Sequence, residues 1–482
     1  MLDEEVVNKE ARHGNERLLI VNAVSMFAIP AVFFGGASDF ITGLFIALGI
    51  LASINVFVYS RSWLDASPHT WLRFLLALSP YIITLGLTIA GLGHPALENI
   101  QIGSREYLNL INDCGSSIIS AAPGIVSALT PDLITIGCVA CGLSIYFITE
   151  SRYIVRRIIF YCALIAASIA AVGLIYESIL SVMGFENMPS FGEGGFFTYP
   201  FASWWAALAI LWMGGALTVA VYSAQRFRLS TFFYSLRFLS LLAALVLFLS
   251  VLYCGTPAER ALAAALAAFA CSVLFIDTVP TGKNLSRHWT SKYSRRRKNN
   301  FMSTAVIPCA MYLVAALISA AACVSTFIES VNDGDEMLIV NSDSRSCATL
   351  AERQALIADS IDIIELKPAF GWGTGSFPNV FAFYQSSDLG DCAWDSPHSE
   401  PVKKLVENGL VGLVLSVITP LAFFILWIFR FDFSASGMVL FFTLACFSVL
   451  TVIDCPFQCI AVQASFWILM MSLFKWDCAK IR

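Results

Sequence analysis

The chain is 482 residues long, 58% hydrophobic and only 13% charged, with a formal net charge of −5. Soluble domains carry nearer a quarter charged residues, so this composition excludes an ordinary soluble globular protein and marks a membrane one. The small net charge points to no partner; where the charges fall along the chain is more informative.

The N-terminal stretch MLDEEVVNKEARHGNER is polar and mixed in charge. The apolar run behind it continues past any plausible cleavage site, so no cleavable signal peptide is expected. A helix needs ~20 apolar residues to cross the hydrocarbon core. Runs of that kind cover 18–36, 39–59, 74–93, 131–149, 158–180, 201–222, 238–254, 261–280, 302–327, 409–429, 437–453 and 459–474. The expected fold class is therefore an all-α polytopic membrane protein of about twelve spans. It divides into an N-terminal bundle of nine spans (1–328), a large partly helical loop (329–408) and three C-terminal spans (409–482).

Orientation follows from Lys and Arg, which accumulate in cytoplasmic segments. With the N-terminus in the cytoplasm, inner segments hold 22 of the 29 basic residues, and the short outer loops hold only Arg105 and Arg260. Both termini are then cytoplasmic and the large loop lies outside. The basic run Arg287–Lys298 sits between two spans on the inner face, where it anchors topology near anionic lipid; nucleic acid is not an expected partner. No internal repeat and no pair of broken helices suggests a transporter. Most of the fourteen cysteines lie in apolar runs, among them Cys138 and Cys141, whose C-x-x-C spacing inside a span indicates small apolar packing. Cys347 and Cys392 fall in the outer loop, where either a disulfide or two separate thiols is compatible with the sequence.

The loop Glu329–Asn408 holds 14 acidic and 5 basic residues. Its first ordered part is expected to be a helix, Leu350–Leu366, with an apolar stripe of Ile357, Ile361 and Ile364. Arg353, four residues before Ile357, shares that stripe. It either snorkels to lipid headgroups or directs a guanidinium into a phosphate-binding site. Pro368 stops the helix, and Gly371, Gly373 and Gly375 then let the backbone turn tightly or approach a ligand closely. Farther on, Pro401 suits the first turn of a short helix capped by Ser399 or Glu400, and Asn408-Gly409 suits its end. His398, the only histidine in the loop, stands just before it. An imidazole there can act as a general base near neutral pH, or simply cap a surface loop. No cluster of ligand residues at metal spacing accompanies it.

Arg353, Pro368, GWGTGSF (371–377), SPHSE (396–400) and ENGLVGL (407–413) together resemble the O-antigen ligase / O-antigen polymerase superfamily of bacterial lipid-linked glycan transferases. IDCPFQCIAVQASFWILM (453–470) is similar to that family's final two spans, and Ala258-Glu259-Arg260-Ala261 to its S-R-G-A element. The resemblance implies a glycosyltransferase of the bacterial inner membrane, without metal or other cofactor. It would move a glycan from a polyprenyl (undecaprenyl) diphosphate donor to a glycan or lipid-anchored acceptor on the periplasmic face, inverting the anomeric centre. In that reading His398 takes the acceptor proton, Arg353 and Arg260 hold the diphosphate, and Arg105 is a third cation. Gly371, Gly373 and Gly375 approach substrate. Ligase and polymerase share this donor chemistry and are not separated by these residues. The alternative is a transporter or flippase of lipid-linked saccharides. A transporter would place charges along a path at mid-membrane, whereas here they gather at the outer ends.

Overall fold

The computed structural model describes residues 2–33, 39–62, 70–92, 97–102, 105–110, 125–149, 152–183, 195–222, 236–278, 314, 350–386, 389, 394–429 and 434–478. The elements are α1 (Leu2–Val32), α2 (Asp39–Ser62), α3 (Thr70–Gly91), β1 (Leu97–Ile102), β2 (Arg105–Leu110), α4 (Ile125–Ile148), α5 (Arg152–Met183) and α6 (Ala202–Tyr222). They continue with α7 (Leu236–Cys254), α8 (Pro257–Thr278), α9 (Leu350–Leu366), α10 (Phe377–Phe381), α11 (Glu400–Phe429), α12 (Ala435–Ile453), a 3-10 turn (Pro456–Gln458) and α13 (Ile460–Cys478). The architecture is that of a helical multi-pass membrane protein.

Among the described residues, nine helices, α2 to α8, α11 and α12, are long and apolar enough to cross a membrane. This is fewer than the twelve spans expected. The apolar half of α1 packs into the bundle through Leu19, Met26 and Phe27, behind a polar first half. The apolar part of α13, Ile460–Trp476, is short of the length. Of the run at 302–327 only Val314 is described, and Cys347 and Cys392 lie outside the described residues. An unexpected feature is the antiparallel β1–β2 pair, in register from Leu97↔Leu110 to Ile102↔Arg105. Cross-strand hydrogen bonds hold so short a pair, and no apolar period is needed to announce it.

Side-chain contacts sort the helix ends into two sets, as alternating spans require. At one end Tyr199 donates to the Ala31 carbonyl, Thr88 to Asp132, and Arg353 to the Ile453 carbonyl. At the other, Lys475 donates to the Tyr146 carbonyl, Trp476 to Ser436, and the Arg156 guanidinium lies over the Tyr222 ring. The loop elements α9 and α10 belong to the first end.

The bundle is built around α6, whose residues are buried continuously from Trp205 to Val221. Apolar side chains gain little by leaving lipid for protein, so close packing and polar contacts must hold such a helix. Both are present. A Cβ on Gly214 would fall 2.0 Å from Thr443 Oγ1, which marks how closely α6 and α12 approach. Trp205 and Trp212 donate their indole N–H to Ser250 and Ser465. Cys138 and Cys141 are free thiols buried in α4, filling space as their setting suggested.

In the loop, α9 has the expected bounds, but its packed face differs from expectation. Leu356, Ser360 and Ile363 are buried; of the expected stripe Ile364 packs against the same core, whereas Ile361 is 47% exposed. The three buried residues follow the helical i, i+4, i+7 rule, as the isoleucine stripe nearly does, and burial against the rest of the loop decides between them. Arg353 lies three residues before Leu356 and so remains on the packed side. Trp372, Phe377, Phe381 and Val406 complete a small apolar core with Leu356 and Ile363.

Candidate functional site

The glycine turn and the helix that follows His398 form one unit. Gly409 adopts φ 61, ψ −168, a region open essentially to glycine alone, and breaks α11 into a helix over 400–408 and a longer one over 410–429. Such a break orphans carbonyls on one side and N–H groups on the other. The glycine turn supplies both sets of partners. Trp372 and Gly373 donate to the Val406 and Glu407 carbonyls at 2.9 and 2.6 Å, while Leu410 and Val411 donate to the Pro368 and Ala369 carbonyls at 2.9 and 3.1 Å. Contact is so close that a Cβ on Gly371 would lie 2.6 Å from the Glu407 backbone, and one on Gly409 2.4 Å from Ala369. Gly371 and Gly373 thus approach protein backbone, and Gly375 lines a cavity.

The short helix begins where its sequence suggested. Lys403 N–H donates to the Ser399 carbonyl at 2.9 Å, which puts Ser399 in the capping position. Its first carboxylate, Glu400, accepts a 2.8 Å bond from the Phe457 N–H and ties this helix to the turn between α12 and α13.

That tie brings His398 against Asp454. His398 Nδ1 stands 3.1 Å from Asp454 Oδ1, with the two side chains 10% and 15% exposed. His398 is held in the left-handed region, φ 50, an uncommon conformation for a non-glycine residue that the surrounding contacts must impose. Burial pushes the Asp454 carboxyl up. The hydrogen bond and charge of His398, the Arg353 charge and the Cys455 N–H outweigh it and hold the group down at about 2. An ionised Asp454 only accepts, so the hydrogen-bond network assigns the proton of a neutral imidazole to Nδ1 and leaves Nε2 with the lone pair.

Arg353 closes one side of this pair, donating a 2.7 Å bond to the Ile453 carbonyl. Beyond it lies the start of α8, where Thr256 and Glu259 form a reciprocal cap. The Thr256 N–H donates to Glu259 at 2.7 Å and the Glu259 N–H to Thr256 Oγ1 at 3.4 Å, with Pro257 in the first turn. Glu259 is close enough to Asp454 and Arg353 to feel both charges. Arg260 follows on the same turn, half-buried, and its Nε has no hydrogen-bond partner among the described residues. The structure therefore brings His398 and Arg353 together at Asp454, and Arg260 follows Glu259 on the first turn of α8. Arg105 opens β2; its side chain lies outside the described part of the structure.

Sequence reasoning missed Asp454 and Glu259. The signal for Asp454 was a carboxylate at the end of the span 437–453, on the same outer side as His398, although 56 residues separate the two. Also missed was a buried network below the loop. Asp132, near the start of α4, accepts from Thr88 at 2.6 Å and from Thr374 of the glycine turn at 3.5 Å, and Asn408 donates to Thr374 at 2.8 Å. It joins two membrane helices to the loop.

No protein-family model matches the chain, and no curated protein matches it either.

Proposed function

We propose that this protein is a membrane glycosyltransferase that moves a glycan from a polyprenyl diphosphate to an acceptor hydroxyl, of the O-antigen ligase or polysaccharide polymerase type. The observation that carries this reading is the His398–Asp454 pair with Arg353 against it, at the loop-bearing end of the bundle. The loop-bearing end is the non-cytoplasmic one in this reading, because the opposite segments hold most of the basic residues.

The chemistry balances with the groups at hand. His398 Nε2 accepts the proton of the acceptor hydroxyl while the hydroxyl oxygen bonds to the anomeric carbon from the side opposite the leaving group. Asp454 holds the ring in the required tautomer and stabilises the imidazolium that forms. The bond from the anomeric carbon to the phosphate oxygen breaks, and its electron pair leaves with the lipid diphosphate. Arg353 and Arg260 offset the charge that develops there, and the anomeric configuration inverts. Gly371 and Gly373 support this site by fixing the loop to the α11 break.

The test is transfer in vitro, with purified protein and an undecaprenyl-diphosphate-linked glycan. His398→Ala is expected to lower turnover by about 10²–10⁴-fold, the usual range for a lost general base. Arg353→Ala should lower it by a comparable factor, and full turnover in both variants would refute the assignment.

A further inference from the structure

A cavity of about 420 Å³ lies beside the His398–Asp454 pair, and neither residue is among those that line it. This is the size of a small-molecule site. One wall is the 400–408 helix, which contributes Glu400, Lys403, Lys404, Glu407 and Asn408. Asp132 faces them from α4 and Gln463 from α13. Farther along α11 the lining turns apolar at Leu413, Val417 and Pro420, with the edge-to-face pair Tyr81–Trp467 across from them, ring centroids 5.7 Å apart. Val417 is 45% exposed, so this wall reaches the outer surface of a membrane-crossing helix. The cavity is polar at the loop and apolar at membrane depth.

Two atoms in its polar half lack partners. Glu407 and Asn408 are 2% and 7% exposed, yet Glu407 Oε1 and Asn408 Oδ1 have no hydrogen-bond partner among the described residues. Buried acceptors are rarely left so. The amide orientation of Asn408 follows from its neighbours. With its nitrogen donating to Thr374 at 2.8 Å, and Thr374 to Asp132 at 3.5 Å, Oδ1 is left unsatisfied. Both orphan atoms call for donors. Among the described lining residues three carboxyl groups, Asp132, Glu400 and Glu407, stand against two ammonium groups, Lys403 and Lys404. Carboxyl groups that outnumber the ammonium groups, with unsatisfied acceptors among them, disfavour a phosphate and suit hydroxyl groups, with the lysines to donate to hydroxyl and ring oxygens.

We infer that this cavity binds the hydroxyl-bearing sugar head of a membrane-anchored acceptor, with its lipid chain lying along Leu413, Val417 and Pro420. The inference rests on the glycosyltransferase reading for the word acceptor, and on the cavity alone for the ligand chemistry. The diphosphate of the donor belongs with Arg353 and Arg260, outside this cavity. The two substrates are sorted by charge.

The experiment uses the full chain in lipid nanodiscs and three photoreactive probes of equal chain length: a dodecyl glucoside, dodecanol and dodecyl phosphate. Crosslinks are mapped by peptide mass spectrometry. The glucoside is expected to label peptides holding residues 400–420 and 460–467 saturably. Glu407→Gln, which replaces one acceptor by a donor at constant shape, should weaken that labelling about tenfold. Leu413→Trp, which fills the apolar half, should abolish it. Equal labelling by dodecanol would reduce the cavity to an apolar slot, and stronger labelling by the phosphate would reverse the charge argument; either result overturns the inference. So does glucoside labelling unchanged in both variants. Because these readouts involve no turnover, they stand or fall apart from the His398→Ala and Arg353→Ala transfer assay.

Discussion

Ionisation of Asp454 is a local balance with a definite sign. Its carboxyl is held at about 2 against an ordinary 3.8, despite burial, by His398 and Arg353. A depressed carboxyl contributes stability that is fully present above the ordinary value and is lost as pH falls through about 2. Asp454 therefore stays charged through the whole range in which a glycan transferase would be assayed. Difference infrared spectra of wild type against Asp454→Asn should show no carboxyl from this residue titrating at pH 4 or above; such a band would contradict the paired geometry. In the transfer assay the same variant should lose about 10²-fold or more, since the neutral amide no longer stabilises an imidazolium. His398 was legible in the sequence by elimination, as the loop's single histidine. Asp454 was not, because its role depends on a contact across 56 residues that no local pattern encodes.

Elements of the loop were legible where backbone chemistry is local. Pro401 and Asn408-Gly409 mark the ends of the short helix, and Pro368 ends α9 close to its true limit. The apolar stripe of α9 was less legible, because Leu356 and Ile363 on one helical register compete with Ile357, Ile361 and Ile364 on the next, and packing partners choose between them. The mutual fit of the glycine turn and the α11 break carries a sharp expectation. Gly409→Ala combines a backbone conformation that L-residues avoid, costing about 1–3 kcal/mol, with a methyl 2.4 Å from the Ala369 carbonyl carbon and oxygen. It should lower the thermal midpoint in detergent by several degrees or more and reduce transfer along with it. Gly371→Ala should behave similarly. Gly43→Ala in α2 meets nothing within 4 Å and should be neutral or stabilising by about 0.5–1 kcal/mol. Equal midpoints for all three variants would show that the turn does not clamp the break.

At the scale of the whole molecule, helix length and end contacts constrain how the protein sits in a bilayer. A helix of 22 residues such as α3 is ~33 Å long at 1.5 Å per residue, close to the ~30 Å hydrocarbon core. The 32 residues of α5 exceed it, so that helix must project or tilt. The two sets of end contacts then lie on opposite faces: α9 to α10 and the His398 pair on one, the Lys475–Tyr146 and Arg156–Tyr222 contacts on the other. Geometry divides the faces without naming them, and the proposed orientation names them by charge. Impermeant maleimide labelling tests it. Phe383 is 45% exposed in the loop, so Phe383→Cys should label in intact cells above the wild-type background. Ser291→Cys, within the basic run, should label only after the membrane is permeabilised. The reverse pattern would place the His398 pair in the cytoplasm. A periplasmic acceptor could not then reach it, and the proposed transfer would have to be abandoned together with the orientation.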